Sequence, residues 1–413
     1  MSTIRAFRAL RPVPAKAGEV ASKPYDVMNT QEAKELAQGN PVSFLRVVRA
    51  EIAFPDGADA YSDEVYQKGR DTLEAFFADG VMIQDETPCL YIYRQKMGDH
   101  IQTGLVTTAS CVEYDQGIVR KHEFTRPVKE ADRVRHIETL QAQTGPVWIT
   151  YRAVAEIDAL VGELSSGEPT AHFTAPDGIE HSFWVVSDAE QCKTLEQLFT
   201  DKVPVLYIAD GHHRSAAASI IAAKKREQGA AADDPSQFFL SVVYPDEQMM
   251  IMAYNRFVHD LNGHSKESFL EKMSDVFEVS PRGELTLPSP AARHQFDMYL
   301  DGEWYSLQVK DGIFDANDPV ASLDVSILQE KVLTPILNIE DPRTSNRIDF
   351  VGGIRGHKEL ERLVQGREGS VAFACYPTSI QELLAVADNN EVMPPKSTWF
   401  EPKLRSGLFV NKF

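Results

Sequence analysis

The stretch YIADGHHRSAAASIIAAKKR, Tyr207–Arg226, sets an acid, a glycine, two histidines and an arginine between an apolar run and an alanine-rich run. The residues before it, KVPVLYIA, form a continuous apolar segment of strand length, as expected of a strand buried on both faces. The residues after it, SAAASIIAAKKREQG, read as a helix. Small side chains at Ser215–Ala218 let that helix pack closely on its strand and leave room above it. A strand that runs through DGHHR straight into a helix predicts a fold mixing both kinds of element.

The chemistry of such a junction follows from its backbone. A helix start exposes four unpaired N–H groups, and the helix dipole adds partial positive charge there. Gly211 allows close backbone approach, and Arg214 can grip phosphate or carboxylate oxygens with two hydrogen bonds. His212 and His213 titrate near neutrality, and Asp210 can cap the helix, hold magnesium or receive a hydroxyl. The competing reading makes Asp210 a plain N-cap and Arg214 a surface ion pair. Zinc on the histidine pair is disfavoured, because adjacent side chains diverge and no third ligand is suitably spaced.

Working outward, 413 residues exceed the usual size of one compact domain. The residues are 43% hydrophobic and 25% charged, the composition of an ordinary globular protein. A formal net charge of -19 repels nucleic acid and acidic membrane surfaces, so neither is an expected partner. No apolar run reaches the roughly 18 residues that span a bilayer. The N-terminus lacks an apolar secretory core, which predicts a cytoplasmic protein. Cys89, Cys111, Cys192 and Cys375 are scattered without metal spacing, so core packing is their expected role and no metal site is assigned.

Elements alternate along the chain. NTQEAKELAQG predicts a short helix capped by Asn29 or Thr30. AYSDEVYQKGRDTLEAFFADG predicts a longer one with Val65, Leu73, Phe76 and Phe77 on its apolar face. Hairpins are expected at GDH after Met97, at PDG from Pro176 and at DG from Asp301. QFFLSVVYP and MMIMAYNRFV read as core strands. DVSILQEKVLTPIL, GHKELERLVQG and SIQELLAVADN read as helices, the last with a capping box from Ser379 and Glu382. The expected fold is α+β, divided into a core over residues 1–258, with a β-rich insertion at about 85–200, and a C-terminal α/β portion over 259–413.

Other polar clusters accompany the junction. GIVRKHEFTRPVKEADRVRH, from Gly117, is the most basic stretch, and His122, Glu123, Arg126, Lys129 and Arg133 are its candidates for handling a phosphorylated ligand. KPYDV brings Lys23, Tyr25 and Asp26 beside a stiffening proline. Asn255 and Arg256 end an apolar strand, and Ser397, Thr398 and Lys403 lie on a proline-framed loop that either closes over a ligand or pins the C-terminus.

The blocks PYDV, NPVSFLRV, RKHEFTRPVKEADR, YIADGHHRSAAA, NRFV and PPKSTWFEPKLRSGL, in that order, resemble those of the domain of unknown function 1015 family. That family name states no activity. ADGHHRSAAA also resembles, over a short stretch, the signature of the ParB-like superfamily, which includes sulfiredoxins and free-serine kinases. This second resemblance implies a ParB/serine-kinase-like core and a phosphate site at Gly211, His212, His213 and Arg214, to which Ser215 is added as a phosphate-binding candidate. By the same resemblance Asp26, or Glu19, stands where serine kinases keep a basic carboxylate. The sulfiredoxin cysteine is replaced by His212, which argues against that activity. No P-loop, dinucleotide, nucleophile-elbow or zincin motif occurs.

The expectation is a phosphoryl-transfer enzyme acting on a small polar metabolite with ATP or ADP and magnesium. Asp210, His212, His213, Asp26 and Glu123 are the candidates for acid, base or phosphoryl carrier. Tyr25, Asn255, Arg256, Ser397, Thr398 and Lys403 are assigned to the substrate. A phosphatase using the same anion site, or a ligand-binding regulator without turnover, remain the alternatives. Homo-oligomer formation is left open.

Overall fold

The computed structural model describes residues 1–283 and 290–413. It forms two compact units: residues 1–121, 125–249 and 402–413 make the first, residues 122–124 and 250–401 the second. Both mix helices with sheets, so the fold is α+β as expected. None of the described helices is long and apolar enough to cross a membrane.

The first unit is built on a nine-stranded sheet. Its strands are β1 (Ile4–Arg5), β2 (Leu90–Met97), β3 (His100–Ser110), β4 (Val119–Arg120), β5 (Val147–Tyr151), β6 (Ala171–Thr174), β7 (Glu180–Val186), β8 (Leu206–Asp210) and β9 (Phe238–Pro245). They lie in the order β4-β8-β5-β9-β3-β2-β7-β6, with β1 beside β3. The pairs β4–β8 and β5–β9 are parallel and the others antiparallel. The hairpins at GDH and PDG form as the turn residues predict, joining β2 to β3 and β6 to β7. Phe238–Pro245 is buried along its whole length, which explains its unbroken apolar sequence.

Alternation assigns the two faces of this sheet. Ile92, Leu105, Ile149, Trp184 and Val243 point into one core, together with Val161 from helix Ala155–Leu164 and Leu195 and Phe199 from helix Ala189–Lys202. Tyr93, Gln95, Gln102, Trp148 and Tyr244 belong to the opposite face, where Trp148 and Tyr244 rings meet at 5.6 Å. Helix His212–Glu227 packs Ala216, Ala218 and Ala222 on the first core, and Ala217 and Ile221 on Ile137 of helix Pro127–Leu140. The small residues after DGHHR thus give the close packing their size predicts.

The last twelve residues return to the first unit. Val410 exchanges backbone hydrogen bonds with Leu10 at 3.0 and 2.9 Å, and Ser406 with Ser22 at 3.0 and 2.9 Å. Arg405 donates from Nε to His181 Nε2 at 3.1 Å and from Nη2 to Asp177 at 2.6 and 2.7 Å. That donation leaves the His181 proton on Nδ1, 2.7 Å from the Tyr93 hydroxyl. Gly407 has φ +89°, and a Cβ there would stand 2.5 Å from Phe44 Cγ. Gly407→Ala is therefore expected to lower stability by about 2–4 kcal/mol, from strain plus overpacking, as read by urea unfolding. An unchanged midpoint would show that the tail does not need this close approach.

The second unit holds a six-stranded antiparallel sheet of β10 (Tyr254–Val258), β11 (Phe277–Arg282), β12 (Gln295–Leu300), β13 (Glu303–Val309), β14 (Ile348–Gly352) and β15 (Val371–Cys375), ordered β11-β13-β12-β15-β10-β14. Helix Lys266–Val276 packs Phe269 and Met273 on one face; helix His357–Val364 packs Leu360 and Val364 on the other. The hairpin at Asp301–Gly302 joins β12 to β13. The capping box of helix Ile380–Asp388 forms as its sequence predicts.

Three sequence expectations are corrected here. MMIMAYNRFV is two strands: Met250–Met252 pairs with Trp399–Glu401, and Tyr254–Val258 enters the six-stranded sheet. DVSILQEKVLTPIL is helical only over Asp324–Leu328 and passes into a wider π turn at Gln329–Leu333, ahead of Pro335. Phe77 of helix Asp63–Ala78 is exposed, since Leu73 and Phe76 already fill the buried stripe. All four cysteines are free and buried.

Candidate functional site

The register of β8 decides where Asp210 points. Tyr207 lies opposite Thr150 and Ile208 opposite Ile149, but Asp210, not Ala209, lies opposite Trp148. This bulge inserts one residue and returns Asp210 to the Tyr207–Trp148 face, away from the apolar core that takes Ile208. There the Asp210 carboxylate accepts from Lys403 Nζ at 3.0 Å and stands 3.9 Å from Arg214 Nη2. Burial acts to raise its pKa, but Lys403, Arg214 and His212 outweigh it and hold the group well below the ordinary carboxylate range.

Gly211 is the N-cap of helix His212–Glu227, with φ +99° in the left-handed region. A Cβ at this position would lie 3.0 Å from the Arg214 guanidinium, so glycine lets that side chain fold back over the turn. Arg214 Nη1 donates to the Pro146 carbonyl, while Nε is buried without a hydrogen-bond partner. Its side chain is 11% exposed. Ser215 turns inward, its hydroxyl donating to the His212 carbonyl at 3.0 Å.

Arg214 lines a cavity of about 30 Å³ with Tyr25, Arg133, His136, Gly145 and Ser406. Such a space suits one or two waters between polar groups. Arg133 lies 3.8 Å from the Tyr25 ring centroid and bonds Asp132 at 2.8 Å; Asp132 also receives the Tyr66 hydroxyl at 2.7 Å. Burial and the neighbouring Arg133 drive the His136 pKa down to about 3, so this imidazole is neutral, and its Nε2 has no hydrogen-bond partner. Lys403, Arg214 and Arg133 therefore face two carboxylates, Asp210 and Asp132, within an acidic protein.

A hydrogen bond ties the start of helix Pro127–Leu140 to the junction. The Arg126 N–H donates to His213 Nε2 at 3.0 Å, which makes His213 neutral with its proton on Nδ1. Arg126 is exposed. Lys129 is not brought to the cavity; its ammonium donates to the Tyr61 hydroxyl at 3.0 Å. Asp26 is exposed beside Tyr25. His122 and Glu123 count with the second unit, where the His122 carbonyl accepts from the Met393 N–H.

Other assigned residues of the second unit serve its own framework. Asn255 accepts from the Cys375 N–H at 3.0 Å, and Arg256 donates to the Tyr254 and Pro395 carbonyls. Ser397 donates to Pro394 at 2.6 Å, and Thr398 follows it on the same loop. His136, Gly145, Pro146 and Ser406 line or bound the cavity and were not among the sequence candidates. The Gly-Pro turn signal at Gly145 marks a loop but not what it faces.

Fold and site together define a mixed α+β protein with a cationic pocket at a strand-to-helix turn. The chain belongs to the family described as protein of unknown function DUF1015, whose model matches residues 4–326. No curated protein matches it. Among solved structures it is similar to a free serine kinase in complex with AMP, at 13% identity and TM-score 0.37, covering 74% of this chain and 92% of that one. A free serine kinase variant with ADP shares 11% identity at TM-score 0.36, over 75% and 94%. A C-terminally truncated SbnI from Staphylococcus aureus shares 12% at 0.36, over 74% and 87%.

Proposed function

We propose that the Asp210–Arg214 junction binds the phosphates of ATP or ADP in an enzyme that transfers a phosphoryl group to or from a small polar metabolite. The observation that supports this best is the half-buried Arg214, whose buried Nε has no hydrogen-bond partner, beside a cavity shared with Arg133 at a helix start. Entry of a phosphate requires Arg214 to leave the Pro146 carbonyl, exchanging a neutral acceptor for a charged one. Phosphoryl transfer depends mainly on positioning and on stabilising charge, which is what a fixed guanidinium pair and backbone N–H groups supply.

The acid–base roles sort by environment. Asp210 is a weak proton acceptor, since Lys403 and Arg214 hold its pKa far below neutrality; its role is to anchor those two cations. His213 commits its acceptor nitrogen to Arg126. Asp26, exposed beside Tyr25, is the carboxylate best placed to accept a substrate hydroxyl proton. Among the described residues no group of three His, Cys, Asp or Glu side chains could hold a metal. Magnesium would come with the nucleotide phosphates, as it commonly does.

Phosphorus NMR tests the proposal: the full chain is incubated with ATP or ADP, magnesium and a panel of hydroxy-amino acids. A new phosphomonoester signal is the expected result. Nucleotide binding without turnover replaces the enzyme with a ligand-binding regulator, and no binding overturns both.

A further inference from the structure

The opposite face of the same sheet carries a second, unrelated cavity. Arg94 on β2 lies across from Thr103 and Ser182, whereas its neighbour Gln95 points the other way and donates to the Lys403 carbonyl. Arg94, Thr103, Tyr151, Asp158, Ser165 and Gln248 line a space of about 120 Å³. Arg94 and Ser165 are shared with an open groove of about 620 Å³ that also carries Trp184.

Among the described residues neither charge in this cavity has an ion-pair partner. Arg94 donates from Nε to the Thr103 hydroxyl at 3.1 Å and from Nη2 to the Ser165 hydroxyl at 3.0 Å, and its guanidinium stacks 4.8 Å from the Trp184 ring. All of these partners are neutral. Ser165 caps the C-terminus of helix Ala155–Leu164, whose dipole offers about half a charge at most. Across the space, the one hydrogen bond Asp158 accepts from a side chain among the described residues is that of the Tyr151 hydroxyl, at 3.5 Å. Burial, together with Glu247 and Asp246, raises its pKa, the mark of a carboxylate lacking a cation. A guanidinium and a carboxylate thus line one small cavity without pairing to each other.

Removing charges from water costs free energy unless each finds a counter-charge. A single ligand with opposite charges a few bonds apart meets both needs. We propose that this cavity binds a small zwitterion, a free amino acid, with its carboxylate on Arg94 and its ammonium on Asp158. The site is independent of the phosphate reading.

Isothermal titration of the full chain with glycine, β-alanine and 4-aminobutyrate tests it, with acetate and methylammonium as half-ligands. At least one zwitterion is expected to bind tenfold or more tightly than either half-ligand. Arg94→Gln and Asp158→Asn should each weaken that binding at least tenfold while ATP binding stays as in the parent protein. If Arg94→Gln does not fold, Asp158→Asn, on the rim of a helix, still decides. No zwitterion binding, acetate binding as tightly, or affinity unchanged in Asp158→Asn overturns the proposal.

Discussion

Arg214→Ala is expected to reduce phosphate and nucleotide affinity about 100-fold while the protein still unfolds cooperatively. Hydrogen bonds to charged groups contribute about 1.5–3 kcal/mol each, and the guanidinium can offer two to one phosphate. Sequence alone makes this arginine an exposed helix-start residue of little consequence for folding. In the structure it is half-buried, bonded to the Pro146 carbonyl and set against the Asp210 carboxylate. Its loss is therefore also expected to cost about 1–3 kcal/mol of stability, with Lys403 still compensating Asp210. Arg214→Lys separates charge from geometry: it keeps the cation, loses the forked donor pair and should bind with intermediate affinity. Titration with ATP and urea unfolding read the two effects. Full affinity in folded Arg214→Ala would remove the anion cradle.

The second large effect is acid sensitivity of the first unit. His136 and His181 are buried and neutral; burial first, then Arg133 and Arg405 respectively, lower each pKa from 6.5 to about 3. Between pH 6.5 and 3 the unfolded chain binds two protons that the folded chain refuses. Stability therefore rises with pH across this window, and what is present above 6.5 is lost as pH falls. Each histidine contributes about 1.4 kcal/mol per pH unit, so moving to pH 5 should remove roughly 4 kcal/mol from the pair. Asp324 acts in the opposite sense in the second unit. Burial raises its pKa to about 7, so the folded form binds the extra proton and that unit gains stability as pH falls through neutrality. Hydrogen exchange separates these contributions. Amides of β5 and β7 should lose protection between pH 7 and 5, after correction for intrinsic rates, and His181→Gln should halve the slope. Protection that is flat over this range would mean the two imidazoles are not held neutral.

Much of both units is legible locally. Two-residue turns at Gly98 and Asp301 fix hairpin register, capping residues fix helix starts, and the alanine run after Arg214 fixes close packing. Less legible was whatever depends on counting across strands. MMIMAYNRFV is one apolar run in sequence but serves two sheets, because its break at Ala253 is set by pairing partners at Trp399 and Val351. Lys129 and Arg133 share a helix face by spacing. Only packing sends one to Tyr61 at the surface and the other over Tyr25 into the cavity.

By itself the sequence determined that a buried strand runs into a helix through Asp210–Arg214, because apolar continuity and small helical residues are local properties that tolerate few alternatives. It also determined that cations and imidazoles gather at that turn. The tertiary structure alone decided which of them meet. A one-residue bulge turns Asp210 off the apolar face, and a C-terminal segment 193 residues away lays Lys403 on it. Strand register and chain return are long-range pairings, fixed by the packing of whole sheets, and no window of sequence contains both partners.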